Sequence, residues 1–135
     1  MSTTLTMLEL PSHPRNIAMV ENFVAEVVEE YRLSPDLYGN ILVSLTEAVN
    51  NAIIHGNDKD ESKKVQIRLR RRKDSLAIRV TDQGRGFDPQ SIPDPTAPEN
   101  LLKVGGRGVF LMHELSDNIK FHNNGTTVEM QFKIQ

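Results

Sequence analysis

The chain has 135 residues, 16 basic and 18 acidic side chains, a formal charge of −2 and no cysteine. That length amounts to roughly one domain with a core of its own. The absence of cysteine excludes disulfide frameworks, thiolate chemistry and cysteine-ligated zinc or iron–sulfur centres, and the charge balance lacks the basic excess of a dedicated nucleic-acid binder.

In chain order, residues 4–10 (TLTMLEL) alternate weakly and predict a strand. Ile17, Val20, Phe23, Val24, Val27, Val28 and Tyr31 recur at helical spacing and predict a first helix. Ser34-Pro35-Asp36 signals a helix start: a hydroxyl cap, a proline at the first helical position and an acid at the positive end of the dipole. Leu37, Ile41, Leu42, Leu45, Val49 and Ile53 carry this second helix to a stop at Gly56. Val65, Ile67 and Leu69, then Leu76, Ile78 and Val80, alternate with polar residues, and Arg71–Ser75 suits a hairpin connection between them. A third helix is predicted near Gly108–Leu115, and a second hairpin pairs Ile119–His122 with the run Val128, Met130, Phe132, Ile134 through Asn123-Asn124-Gly125. Helices and strands are grouped rather than strictly alternating, which favours an α+β domain with helices on one face of a sheet. No basic-plus-apolar leader opens the chain, and no apolar run nears the roughly 18 residues of a membrane span. The expectation is a single cytoplasmic domain over residues 1–135, with no membrane and no direct nucleic-acid partner.

Three clusters could carry chemistry. Glu47, Asn51 and His55 are spaced four residues apart on one face of the second helix, away from its apolar stripe. A carboxylate there can take a proton and a carboxamide oxygen can ligate a hard cation, although the same spacing describes a solvated helix face. Asp82-Gln83-Gly84-Arg85-Gly86 follows a strand; its glycines either allow a ligand to approach the backbone or simply make a turn. Gly105-Gly106-Arg107-Gly108 opens the third helix, where free N–H groups suit a phosphate or merely give a flexible helix start. Five of the eight glycines fall between residues 84 and 108 and bracket a 17-residue stretch, Asp88–Val104, of a length typical of lids and binding loops. Arg68 and Arg70–Lys73 form a basic patch that reads either as a solvated hairpin end or as an anion site. The P-loop, GxGxxG, EF-hand and ordinary protein-kinase signatures are all missing.

Taken together and in this order, Glu47-xxx-Asn51-xxx-His55-Gly56, Asp82-x-Gly84-x-Gly86, Gly106-x-Gly108 and Gly125-Thr126 resemble the GHKL ATP-binding family. The stretches EAVNNAIIHGN, VTDQGRGFDP, PTAPENL and GGRGVFLM look most like the small bacterial anti-sigma-factor serine kinases of the RsbW and SpoIIAB type, and the resemblance covers nearly the whole chain. It implies a Bergerat-type two-layer α/β sandwich: a mixed, mostly antiparallel sheet covered on one face by about three helices, with ATP between helices and lid. By carry-over, Asp82 accepts the adenine amino group, Gly84 and Gly86 let the base approach, and Thr126 supports the adenine end from the final strand. Asn51 ligates Mg2+, Gly105, Gly106, Arg107 and Gly108 face the phosphates, and Glu47 is the general base. Related kinases often carry Arg or Lys just before the phosphate-binding glycines; here Lys103-Val104 precedes them, leaving Lys103 or Arg107 to supply the cation.

The implied function is an ATP-dependent serine/threonine protein kinase that acts as an anti-sigma factor. Its partners would be a STAS-domain anti-anti-sigma protein, a sigma factor and a second copy of itself. The alternatives are a non-catalytic, ATP-gated binding regulator and an RsbT-type switch kinase that activates a phosphatase.

Overall fold

The computed structural model describes residues 4–84, 106–123 and 125–134. In order these form β1 (Thr4–Pro11), a 3-10 turn (Pro14–Asn16), α1 (Ile17–Tyr31), α2 (Pro35–Asn51), a π-turn (Ala52–Gly56), β2 (Lys64–Arg71), β3 (Ser75–Thr81), α3 (Gly106–Leu115), β4 (Asn118–His122) and β5 (Thr127–Lys133).

The two-residue period of the strands sets the layering. Five strands lie in the order β1-β2-β3-β5-β4. Ile67 sits opposite Val80 and Val80 opposite Val128, while Leu69, Ile78 and Met130 make a parallel row, so the apolar alternation of three strands falls on one face. Against that face pack Val20, Phe23, Val24 and Val27 of α1, Ile41, Leu45, Ala48 and Val49 of α2, and Met112 of α3. Burying each of the larger side chains contributes about 1.5–3 kcal/mol. The result is the expected α+β sandwich. Every pairing among the described strands is antiparallel, so the parallel component of a mixed sheet is not among them.

Two local details follow from sequence. The Ser34 hydroxyl accepts from the Leu37 amide at 3.2 Å, with Pro35 at the first position of α2, as the capping pattern predicts. The first hairpin is tighter than expected: β2 runs through Arg71 and β3 begins at Ser75, leaving Arg72–Asp74 as the connection. Arg71 thereby lies 5.7 Å over the Tyr31 ring, so part of the basic patch is used in packing α1 against the sheet.

The second helix departs from expectation where function is concentrated. Its α-helical winding ends at Asn51, and Ala52–Gly56 continue as a wider turn in which the Asn57 amide donates to the Ala52 carbonyl, five residues back, at 2.8 Å. Such turns recur at functional sites. His55 falls within this turn rather than on the α-helical part that carries Glu47 and Asn51, and its side chain is exposed. No helix of the described residues is long and apolar enough to cross a membrane.

Candidate functional site

Asp82 leaves β3 at the rim of the sheet, and its own amide donates to the Thr126 carbonyl at 2.9 Å, which ties the end of β3 to the turn before β5. Its carboxylate Oδ1 accepts from the Gly84 amide at 2.8 Å. Two glycines make room for it. A Cβ at Gly56 would collide with the Asp82 carboxyl group, and one at Gly84 would collide with the Gly56 carbonyl. Only residues without side chains let the end of the π-turn and the start of the Asp82 turn meet. The half-buried carboxyl is raised above its ordinary proton affinity by burial, against the pull of the Gly84 amide and the Lys63 charge. A partly desolvated carboxylate in a backbone-lined cradle can accept a hydrogen bond from a ligand N–H, with little water competing for it.

The π-turn joins this cradle to α2. Glu47 and Asn51 are partly exposed on that helix, between the buried Ala48 and Ala52, and neither side chain makes a hydrogen bond or ion pair with any described residue. The same helix packs along α3, whose first turn is Gly106-Arg107-Gly108, as the glycine-rich opening predicted. Thr126 lies one residue before β5 rather than on it, and its hydroxyl donates to the Asn123 carbonyl at 2.8 Å. Its link to Asp82 therefore runs through the main chain. Gly86, Gly105 and the stretch 88–104, read as a lid, lie outside the described residues.

One group that spacing did not reveal sits beside the cradle. Asn57 is 0% exposed. Its Nδ2 donates to the Ser12 hydroxyl at 2.8 Å and to the Lys64 carbonyl at 3.1 Å, and its Oδ1 accepts from the Gln83 amide at 2.7 Å. Ser12, also fully buried, donates in turn to the Lys63 carbonyl at 2.8 Å. The only sequence signal was the asparagine directly after His55-Gly56; partners 45 and 26 residues away in the chain leave no period to detect.

With the cradle and its helix in place, comparison with known proteins is decisive. Residues 10–132 match the family model described as histidine kinase-like ATPase domain. The chain belongs to this family. As a histidine kinase-like ATPase domain it is also similar to serine-protein kinase RsbW of Bacillus velezensis, 30% identical over 139 residues that cover 96% of this chain and 87% of that protein. Serine-protein kinase RsbW of Oceanobacillus iheyensis is 26% identical over 132 residues, covering 93% and 84%. Among solved structures, the RsbU and RsbW domains of a Mycobacterium tuberculosis protein superpose with a TM-score of 0.69 at 12% identity, over 97% of this chain and 32% of that longer one, a likeness of fold. For this ATPase-type domain the Asp82 cradle fits an adenine nucleotide: a carboxylate acceptor walled by main chain rather than side chains suits a flat base carrying an amino donor.

Proposed function

We propose that the chain is an ATP-dependent serine/threonine protein kinase that phosphorylates a STAS-domain anti-anti-sigma protein and, as a homodimer, sequesters a sigma factor. The observation that carries this reading is the Asp82 cradle pressed against the end of the helix bearing Glu47 and Asn51, on a chain aligned over nearly its whole length with RsbW kinases. Asp82 reads the adenine amino group, the lack of side chains at Gly84 and Gly86 lets the base approach, and Thr126 holds the Asp82 main chain. Gly105, Gly106, Arg107 and Gly108 are assigned to the phosphates, because the amides that open a helix such as α3 favour anions. Asn51 is the protein ligand for Mg2+, which supplies charge neutralisation to the phosphates when bound. A single carboxamide suits an ion that keeps its waters and takes phosphate oxygens, and among the described residues no group of three or more His, Cys, Asp or Glu side chains converges on a metal site. In transfer, the partner's serine oxygen bonds to the γ-phosphorus, the bond to the β,γ-bridging oxygen breaks with ADP leaving, and Glu47 takes the hydroxyl proton. Positioning and charge neutralisation dominate this chemistry, and a placed base adds roughly 10²–10⁴-fold.

The test is phosphate transfer from radiolabelled ATP to a purified STAS-domain protein. Glu47→Ala is expected to lower the transfer rate by about 10²-fold or more while keeping the thermal stabilisation by Mg-ATP. That stabilisation is about 2.7 kcal/mol at 100 times Kd, or on the order of 10 °C for a domain this size. Asn51→Ala and Asp82→Asn are expected to lose the thermal shift itself. Mg-ATP binding with no transfer to any STAS-domain protein, but with nucleotide-dependent capture of a partner, supports the ATP-gated binding regulator instead.

A further inference from the structure

We infer that Asn57 is a positioning residue for the nucleotide site: its carboxamide fixes the main chain at Gln83 and so sets the orientation of the Asp82 carboxylate. This inference rests on the adenine-binding reading of Asp82 and adds a residue that does not itself meet the ligand.

The geometry distinguishes Asn57 from an ordinary core asparagine. Gln83 is the residue between Asp82 and Gly84, the two that form the cradle, and its amide donates to Asn57 Oδ1 at 2.7 Å. The other end of the carboxamide is anchored on two separate strand ends, at the Ser12 hydroxyl beyond β1 and the Lys64 carbonyl at the start of β2. The Gln83 side chain closes the same loop from the other direction, its Oε1 accepting from the Lys64 amide at 2.6 Å. The Asn57 main chain also completes the π-turn, directly after the Gly56 that abuts Asp82. Asn57 therefore links the helix carrying Glu47 and Asn51 to the turn carrying Asp82. Few side chains can do this. Asparagine offers two donors and an acceptor on a short stem, aspartate has no donors when ionised, and a serine or threonine hydroxyl cannot span all three partners. With the carboxamide removed, the Gln83 amide loses its acceptor, and the Asp82–Gly84 turn keeps the Gly84 amide, the Thr126 carbonyl and the Gln83 side chain on the Lys64 amide as restraints, none of which holds the Gln83 main-chain amide itself.

The test compares Mg-ATP and Mg-GTP, because an adenine amino group donates to a well-placed carboxylate whereas the guanine O6 at the same place can only accept. Affinities by calorimetry and thermal midpoints are measured for the whole chain, unsubstituted and as Asn57→Ala, Ser12→Ala and Asp82→Asn. Asn57→Ala is expected to weaken Mg-ATP by about ten-fold, the worth of one well-placed hydrogen bond, with Mg-GTP nearly unchanged, so that the preference for adenine collapses. Ser12→Ala removes a partner from the same buried network without touching Gln83, and is expected to lower the midpoint while leaving the preference intact. An Asn57→Ala protein that binds both nucleotides with an unchanged ratio, whatever its midpoint, overturns the inference. So does a Ser12→Ala protein that loses the preference equally. Should Asn57→Ala fail to fold, Asn57→Ser measured in the cold is decided by the same ratio. Loss of preference in Asp82→Asn but not in the Asn57 variants rejects the positioning role alone, whereas an unsubstituted chain indifferent to the base rejects the adenine reading and the inference with it.

Discussion

Burial raises the proton affinity of the Asp82 carboxyl group above the ordinary value, although the Gly84 amide and the Lys63 charge pull the other way. For an acid raised in this way, the stabilising contribution is complete below the unfolded value, near pH 4, and is lost as pH rises through the folded value. At neutral pH the ionised group is therefore a net cost to the nucleotide-free fold. Asp82→Asn keeps an oxygen for the Gly84 amide and removes the charge, so it is expected to stabilise the nucleotide-free protein at pH 7 by under about 1 kcal/mol, solvent screening at a half-exposed site keeping the gain small. The advantage should vanish below about pH 4. Melting curves across this range, run with and without Mg-ATP, read two effects of opposite sign: a higher midpoint alone and no ligand shift. A residue that weakens the fold where it binds is the pattern expected of a functional position.

At the scale of single elements, the two helices that bracket Leu33 differ in how well their ends are built. The C-terminus of α1 places Arg32 in the left-handed region, φ 53°, which turns the Leu33 amide back to donate to the Val28 carbonyl at 3.0 Å; the conformation costs a side-chain-bearing residue about 1–2 kcal/mol. Arg32→Gly is expected to stabilise the protein by roughly 0.5–1 kcal/mol, since glycine removes that strain but adds freedom to the unfolded chain. The N-terminus of α2 is already well formed, and Ser34→Ala is expected to cost about 1 kcal/mol through loss of the cap to Leu37. Urea unfolding would read both as shifts of the midpoint in opposite directions at an unchanged m-value.

Across the whole molecule, the helices cover one face of the sheet and the other is laid out in polar rows. Its centre is not simply solvated. Glu129 of β5 is 4% exposed, because β5 lies between β3 and β4 and its neighbours close over it. Arg79 Nε donates to it at 2.6 Å, Gln131 Nε2 donates at 2.5 Å, and His122 Nε2 lies 3.8 Å away. Burial pushes the Glu129 carboxyl up, but the hydrogen bonds from Gln131 and Arg79 and the charges of Arg79 and His122 outweigh it, leaving the group below its ordinary value. The stability this gives is present above the ordinary carboxylate range and is lost as pH falls through the depressed value. Arg79→Ala strands a buried carboxylate and is expected to cost about 2 kcal/mol at pH 7, less than a fully buried pair because Arg79 is itself half exposed. The loss should shrink in acid as Glu129 takes a proton, which urea titrations at pH 7 and pH 3 would show.

Short-range pattern was enough to place the helices and strands of the described residues, the capped start of α2 and the buried faces of β2, β3 and β5, because those features depend on neighbours a few residues apart. The order of Glu47, Asn51, Asp82 and the Gly106–Gly108 turn likewise pointed to the ATPase family that the match over residues 10–132 assigns. Alternation marked Glu129 only as a polar position between Val128 and Met130, and its burial depended on β5 becoming an inner strand. Helical spacing carried α2 straight through to Gly56, whereas the chain widens into a π-turn at Ala52 so that Gly56 can meet Asp82 and Asn57 can reach Gln83. Local chemistry is written in short-range spacing, and sequence alone determined it. Which buried polar groups meet, and which backbones touch, depends on contacts tens of residues apart, and only the packed sheet and helices decided those.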